Sequence, residues 1–174
     1  MLRSEGISLR ALQSDDAETV ASLINNRKVL DNLRDYIPYP YSKKDAEEFI
    51  LFSTKQDPTV TFAILSHDEI CGVIAIIPQS DIHRMSAEVG YWIGEPYWGN
   101  GIATQALSLI TEYAFSQLDV IRLYAIVFSP NDTSKRVLEK CGYKKEGIGK
   151  KAIIKNNQIL DEHRYAILKS DYLN

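Results

Sequence analysis

The chain has few cysteines and no long apolar run. Its two cysteines, Cys71 and Cys141, are not spaced to bind a metal, and two thiols among apolar neighbours are typical of a reduced cytosolic protein. The longest apolar stretch covers only a few residues around Val73–Ile77, whereas a membrane-spanning helix needs about 20. Because Met1–Glu5 also lacks the apolar segment of a secretory signal, we expect a cytoplasmic protein with no metal and no membrane partner.

An excess of basic residues is also missing. Lysine and arginine together number 20 against 23 aspartates and glutamates, so the formal net charge is −3. Surfaces that bind nucleic acid are usually basic, and we therefore expect no nucleic acid as a direct partner. The 174 residues, 45% of them hydrophobic, suffice for a packed core, and we predict one domain over residues 1–174.

Hydrophobic periodicity places strands and helices along the chain. The predicted order is β-α-α-β-β-β-α-β-α-β-β. Antiparallel strands followed by β-α-β crossovers favour a mixed α/β (α+β) fold, with helices on both faces of a mostly antiparallel sheet of about seven strands. The predicted strands are Ile7–Leu12, Thr59–Leu65, Ile70–Ile77, Ser86–Ile93, Arg122–Phe128, Lys144–Ile154 and Ile159–Leu168.

A glycine-containing turn, Gly99-Asn100-Gly101, joins a predicted strand to the predicted helix Ala103–Gln117. Such a turn presents backbone N–H groups at the positive end of a helix, which suits phosphate. The commoner phosphate loops do not fit, because a Walker loop requires a lysine that is absent here and a dinucleotide loop requires a third glycine where Thr104 stands. Taken alone, the motif is equally compatible with a plain tight turn.

A second segment, thirty residues further on, carries the pattern Asn131-x-x-Ser134-x-x-Val137-Leu138-x-x-x-Gly142-Tyr143. The two segments together resemble the GNAT superfamily of acetyl-CoA-dependent N-acetyltransferases. The family's Arg/Gln-x-x-Gly-x-Gly/Ala signature corresponds to Trp98–Ala103, with tryptophan in the Arg/Gln place. The Trp-Gly-Asn-Gly-Ile-Ala version, the Pro-Tyr-Pro-Tyr-Ser loop at 38–42 and the late hairpin most resemble the RimJ/RimL-type branch, which acetylates the N-termini of ribosomal proteins.

The resemblance implies where acetyl-CoA binds as co-substrate. In such proteins the fourth and fifth strands, here Ser86–Ile93 and Arg122–Phe128, splay apart around the pantetheine arm, and the pyrophosphate rests on amides of the glycine turn. Lys135 or Arg136 would then meet the nucleotide phosphates. The implied coenzyme-binding residues are Tyr91, Trp92, Ile93, Trp98, Gly99, Asn100, Gly101, Ile102, Ala103, Thr104, Asn131, Ser134, Lys135 and Arg136.

The resemblance also implies direct attack of an amine on the thioester. Glu88, on the strand bordering the splay, is the candidate general base, with a solvated strand residue or a partner of Arg84 as the alternative. The family's usual tyrosine acid falls at Leu138, so Ser134 is the candidate proton donor, with helix capping or coenzyme binding as its alternative. The backbone N–H near Ile93 is the candidate donor to the carbonyl oxygen.

Other reactive residues have simpler interpretations. Cys141 lies on a helical apolar stripe with no histidine placed to activate it, so a core role is favoured over an acyl-enzyme. Tyr143 is also predicted to be a core residue, and His163 either faces an acceptor or lies on a surface strand. Tyr36, Tyr39 and Tyr41 either close over an acceptor or pack on the core.

The predicted activity is acetyl transfer to a primary amine, preferably a protein or peptide α-amine. A small-amine acetyltransferase, acting on a polyamine, an amino acid or a drug, is one alternative. The other is a coenzyme-A-binding regulatory module without turnover. A homodimer through the outer hairpin or the helices is compatible with the sequence.

Overall fold

The computed structural model describes residues 1–173, which form a mixed α/β fold with one eight-stranded, mostly antiparallel sheet. The spatial order of the strands is β1-β2-β3-β4-β5-β6-β8-β7, and β5 and β6 are parallel neighbours. The strands are β1 (Leu2–Ser4), β2 (Ile7–Ala11), β3 (Thr61–Ser66), β4 (Glu69–Pro78), β5 (Ser86–Ile93), β6 (Arg122–Phe128), β7 (Lys144–Lys155) and β8 (Gln158–Leu168). The helices are α1 (Ala17–Ile24), α2 (Arg27–Leu30), α3 (Lys43–Ser53), α4 (Ile102–Gln117), α5 (Asp132–Lys140) and α6 (Lys169–Tyr172).

The predicted strands β5 and β6 are confirmed to the residue, and the sheet has one strand more than the expected seven. The additional strand is β1, which has three residues and pairs with β2 in the register Leu2 to Leu9. Three residues are too few to show a hydrophobic period, so the sequence pattern does not reveal this strand.

The chain divides into two compact units. The first comprises Met1–Ala75 and Tyr91–Leu109, and the second comprises Ile76–Gly90 and the chain from Ile110 onward. The prediction of a single domain stays a prediction.

The core of the first unit lies between the strands β3 and β4 and the helices α1 and α3. Val20 and Ile24 of α1 meet Ala46 and Ile50 of α3, and Ala63 of β3 lies in the same cluster; none of these side chains is more than 3% exposed. The helices form because their apolar residues recur every three or four positions. The packing of α1 and α3 in this core therefore sets where the segment after each helix begins.

Helix α3 begins with a capping box formed by Ser42 and Asp45. The Ser42 hydroxyl accepts from the Asp45 N–H at 3.2 Å, and the Asp45 carboxylate accepts from the Ser42 N–H at 2.7 Å. Two backbone donors at the helix start are thereby satisfied by side chains. The irregular segment before Ser42 consequently ends at a defined position.

In the second unit, β6 pairs with β8 over its whole length, from Arg122 opposite Leu168 to Phe128 opposite Glu162. β7 and β8 form the predicted closing hairpin, whose two turn residues, Asn156 and Asn157, both have positive φ. Asparagine tolerates this conformation better than most residues, which explains the turn.

Candidate functional site

The glycine turn at 99–101 ends immediately before α4. Gly99 and Gly101 have φ values of +82° and +73°, a region that L side chains seldom adopt, and a Cβ added to either residue would have open space around it. The Asn100 side chain donates to the Tyr97 carbonyl at 3.2 Å and so ties the turn to the preceding segment. The turn is a fixed, open piece of backbone.

The first bonds of α4 run from the N–H groups of Thr104 and Gln105 to the Gly101 carbonyl, at 3.1 and 3.2 Å. By the geometry of any α-helix, the N–H groups of Ile102 and Ala103 have no acceptor within the helix itself. Gly101, which precedes the helix, has no side chain with which to cap them. The start of α4 therefore has the donors and the dipole direction that suit a pyrophosphate.

The strand residues ahead of the turn are held by the tryptophan of the signature. The Trp98 indole N–H donates to the Ile93 carbonyl at 2.7 Å, while the ring remains 45% exposed. Ile93 is buried, and Tyr91 and Trp92 are half-buried. In the first unit, the structure thus places all the predicted residues from Tyr91 to Thr104 on one continuous strand, turn and helix start.

In the second unit, α5 begins with a side-chain cap. The Asn131 side-chain oxygen accepts from the Ser134 N–H at 3.1 Å, so Asn131 is the capping residue. Ser134 is half-buried in the first turn of the helix. Asn131 therefore has a structural role whatever its role toward a coenzyme.

The two candidate phosphate ligands on α5 differ in their surroundings. The Lys135 ammonium donates to the Ser129 carbonyl at 2.6 Å and to the Asp132 carboxylate at 2.8 Å, and its side chain is 14% exposed. Hydrogen bonding to Lys135 lowers the pKa of Asp132. Arg136, the next residue, is exposed.

Glu88, the candidate base, lies on β5 where that strand meets β6. Its Cα is paired with that of Tyr124 in the parallel ladder formed by Ser86–Glu88 and Arg122–Tyr124. The side chain is half-buried. Its alternative partner Arg84 donates to the Asp81 carbonyl at 3.1 Å.

Comparison with known proteins identifies the family. Residues 7–144 match the model of the acetyltransferase (GNAT) domain. The chain belongs to the GNAT acetyltransferases.

Three relatives are similar to this chain over nearly its whole length. The uncharacterized N-acetyltransferase YoaA of Bacillus subtilis is 30% identical over 181 aligned residues, covering 97% of each chain. The putative ribosomal N-acetyltransferase YdaF of the same organism is 28% identical over 97% of this chain and 94% of its own. The crystal structure of spermidine N-acetyltransferase from Vibrio cholerae, in complex with CoA and spermine, is 27% identical, with a TM-score of 0.83 and coverage of 97% and 99%.

The fold, the family match and these relatives together make the chain an acetyl-CoA-dependent N-acetyltransferase of the GNAT type. Within residues 1–173, no helix has the length and apolar character required to cross a membrane. The cytoplasmic location and the oligomeric state stay predictions.

Tyr143 and the two cysteines of this GNAT acetyltransferase differ in how deeply they are buried. Tyr143 is 2% exposed, and its hydroxyl lies 2.9 Å from that of Thr111, which confirms its core role. Cys141 is half-buried, somewhat more open than its predicted place on the apolar stripe, whereas Cys71 is fully buried and burial raises the pKa of its thiol to about 11.

His163 lies on β8, opposite Val127 of β6 and Ile148 of β7. Its Nδ1 atom is buried and makes no hydrogen bond within the part of the chain that the structure describes. Burial lowers the pKa of His163, and Lys135 lowers it further.

Sequence reasoning missed a set of contacts in the first unit. Glu95, directly after β5, receives hydrogen bonds from Asn26 and Lys28, nearly seventy residues earlier in the chain. The only local signal is the polar run Asn25-Asn26-Arg27-Lys28, which follows an amphipathic helix and contains a helix-capping asparagine.

Proposed function

We propose that the acceptor of this GNAT acetyltransferase is the α-amine of a protein or peptide. The observation that carries this proposal is the irregular segment 31–41, here called the tyrosine loop. Tyr36 and Tyr39 in this loop are 79% and 52% exposed, whereas Tyr41 is buried and anchors the loop on the core. Exposed aromatic rings are enriched where proteins bind other polypeptides.

A polyamine acceptor is the alternative, supported by the relative whose structure contains spermine. A polycation favours a site with an excess of carboxylates, because opposite charges attract at short range. The segment 25–41 carries three cations and two carboxylates. These are Arg27, Lys28, Arg34, Asp31 and Asp35. Glu95 binds Lys28, so two cations and two carboxylates remain, and this segment lacks the excess of carboxylates that would favour a polycation.

The coenzyme's pyrophosphate is assigned to the backbone amides at the start of α4, and its pantetheine arm to the edge formed by Tyr91, Trp92 and Ile93. What supports the first assignment is the open space at Gly99 and Gly101 together with the N–H groups of Ile102 and Ala103. Extended backbone can pair with an amide-containing arm as it pairs with a strand. Asn131, Ser134 and Arg136 are proposed as further coenzyme-binding residues.

For the chemical step, the amine must first lose a proton, since an α-ammonium has an ordinary pKa of about 7.7–8.0. Glu88 is assigned as the acceptor of this proton through water. The nitrogen then bonds to the thioester carbonyl carbon while the carbon–sulfur bond breaks. The Ile93 N–H stabilises the negative charge on the carbonyl oxygen. Ser134 donates its hydroxyl proton to the departing thiolate and takes up the second proton that the nitrogen loses as the amide forms.

Acceptor choice is tested by following thiol release from acetyl-CoA with a panel of amines. We expect a decapeptide with a free N-terminal alanine and no lysine to be acetylated with a kcat/KM at least about tenfold above that of spermidine. The same peptide with a blocked N-terminus is the matched control and should be inert. Preference for spermidine would replace the peptide proposal with the polyamine one.

The base is tested by Glu88→Gln, which keeps the side-chain size and removes the charge. We expect kcat to fall by a factor of about 10² or more at neutral pH, because a positioned base contributes that much or more. Full turnover across pH in this variant would remove Glu88 from the mechanism. Calorimetry with coenzyme A shows whether binding is preserved.

A further inference from the structure

Four consecutive residues, Asn25 to Lys28, connect the tyrosine loop with the segment just ahead of the glycine turn. On one side, the Asn26 side-chain amide donates to the Glu95 carboxylate at 2.7 Å, and the Lys28 ammonium donates to the other oxygen of the same carboxylate. Glu95 opens the short helical turn Glu95–Tyr97, which leads directly into the glycine turn. Both oxygens of this carboxylate are thus engaged by neighbouring residues of one segment.

The alternate residues of the same segment face the tyrosine loop. The Asn25 side-chain oxygen accepts from the Tyr41 N–H at 3.1 Å. The Arg27 guanidinium lies 4.4 Å from the centroid of the Tyr39 ring, within the range of a cation–π contact. Asn25 and Arg27 therefore hold the loop, whereas Asn26 and Lys28 hold Glu95.

The Glu95 end of this connection is rigid. The Gly94 N–H donates to the Cys71 carbonyl of β4 at 2.8 Å, and a Cβ on Gly94 would lie only 2.8 Å from a methyl carbon of Leu23 in α1. The backbone before Glu95 therefore packs directly on both sheet and helix. Asn26 is also fixed, because its side-chain oxygen caps α2 by accepting from the Lys28 N–H at 2.9 Å.

The carboxylate keeps its charge under ordinary conditions. Hydrogen bonds from Lys28 and Asn26 lower the pKa of Glu95, so the group is ionised well below neutral pH. An exposed ion pair contributes little by itself. Here the same carboxylate also binds the side-chain amide of Asn26, which caps α2, and a carboxylate bound at both oxygens holds its partners in a defined geometry.

We propose that Glu95 is a positioning residue for the acceptor: held by the backbone ahead of the glycine turn, it fixes Asn25–Lys28 and, through them, the tyrosine loop. This inference rests on the proposed function, in which that loop receives the acceptor. Glu95 itself touches neither substrate. Its loss should consequently raise the KM for the acceptor and leave the affinity for the coenzyme intact.

The kinetic test uses Glu95→Gln and Glu95→Ala, with whichever of the alanine peptide and spermidine the wild-type protein acetylates. The glutamine variant keeps an acceptor for Asn26 and loses the charge that faces Lys28, whereas the alanine variant loses both contacts. We expect the acceptor KM to rise about threefold and about tenfold respectively, with kcat and the Kd of coenzyme A within about twofold of wild type. Asp171→Ala, which removes an exposed ion pair with Lys144, is the matched control and should change nothing.

A second readout needs no acceptor. Hydrogen exchange of the amides in 31–41, including the Tyr41 N–H, should be at least about threefold faster in Glu95→Ala than in the wild type or Asp171→Ala. Lys28→Met, a change at an exposed side chain, should accelerate exchange in the same segment. Unchanged exchange in both variants overturns the inference even if the acceptor proves to be something else.

The double variant Glu95→Ala/Tyr39→Ala decides whether the effect passes through the loop. If it does, the acceptor KM of the double variant matches that of the worse single variant, since coupled sites are not additive. Additive changes overturn the inference, as does a weaker Kd for coenzyme A with an unchanged acceptor KM. A wild-type protein that acetylates no amine counts against the proposed function and leaves the exchange measurement to decide this inference.

Discussion

Two helices of this protein begin directly after a strand and a turn, and they begin differently. α5 starts with Asn131, whose side chain accepts from the Ser134 N–H at 3.1 Å. α4 starts after Gly101, which has no side chain, within a turn where a Cβ would meet open space. One helix start satisfies a backbone donor with its own residue, whereas the other leaves its donors for a group outside the helix.

The difference separates a helix start with a structural cap from one that we propose binds a ligand. Asparagine at a cap stabilises a helix by about 1 kcal/mol relative to alanine. Glycines with positive φ bring no such contact and cost conformational entropy on folding. The pair of glycines at the start of α4 therefore lowers stability, and we propose that anion binding is the physical reason for their presence.

The largest expected effect comes from filling the open turn. Gly101→Val places a β-branched side chain at a φ of +73°, where strain is on the order of 1–3 kcal/mol, and puts methyl groups where a phosphate would approach. We expect coenzyme A to bind about 100-fold more weakly, equivalent to about 2.7 kcal/mol, as measured by calorimetry.

Gly147→Val is the matched control for this substitution. Gly147 lies in β7 with open space around a Cβ, and valine suits a strand. The control should retain wild-type affinity. If Gly101→Val folds and binds coenzyme A as tightly as the wild type, the start of α4 is not a phosphate site.

Substitutions of Asn131, which caps α5, test its contribution to stability and its proposed contribution to coenzyme binding separately. Asn131→Ala should lower the free energy of unfolding by about 1 kcal/mol, whereas Asn131→Ser should lower it by only a few tenths, because serine also caps. Both should bind coenzyme A about tenfold more weakly, if the asparagine amide contacts the pantetheine arm. Urea unfolding measures the free energy of unfolding, and calorimetry on the same samples measures the affinity for coenzyme A. Equal stability of the two variants would contradict the capping role.

Lys135 and Arg136 of α5 are also expected to differ, one contributing to stability and the other to coenzyme binding. Arg136→Met should weaken coenzyme A binding about threefold at low salt and less at high salt, because an exposed charge is screened. Lys135→Met should instead lower stability, since it removes the ammonium that bonds the Ser129 carbonyl and Asp132. A salt-dependent loss of binding in Lys135→Met alone would reverse this assignment.

Much of this contrast could be predicted from the sequence, because it depends on local rules. The bounds of β5 and β6 follow from short patterns of residues, and the structure confirms them. The side chains that cap α5 and α3 are of types that commonly cap helices, Asn131 in one and the Ser42–Asp45 pair in the other. The positive φ of Gly99 and Gly101 is also a local property, since it follows from having glycine in a tight turn.

The contacts of Glu95 could not be predicted in this way. Asn26 and Glu95 are brought together by the packing of Gly94 on Leu23, and no period or motif records a contact over that chain distance. The half-buried state of Cys141 could not be predicted for a related reason, since it depends on which neighbours the fold places around the thiol. Local chemistry is visible in a sequence, whereas the partners of a polar side chain depend on tertiary structure.

The smallest expected effect concerns His163, which faces the α5 start. Burial lowers its pKa, followed by the positive charges of Lys135 and Lys145, while Asp161 acts in the opposite direction. Lys150 lowers it slightly, and the His163 charge is felt in turn by Asp132. The folded protein therefore binds a proton at this site less readily than the unfolded chain does.

Stability should consequently fall as the pH drops through the ordinary histidine pKa of about 6.5, since the unfolded chain then takes up a proton that the folded state resists. Above about pH 7.5 the site contributes no pH dependence. His163→Asn should reduce the loss of unfolding free energy between pH 7.5 and 5.5, and Lys135→Met should reduce it too, because removing that charge lets His163 bind its proton more easily. Lys140→Met, an exposed change on the same helix, is the control in urea unfolding at the two pH values. A loss in His163→Asn as large as in the wild type would show that other groups govern acid stability in this region.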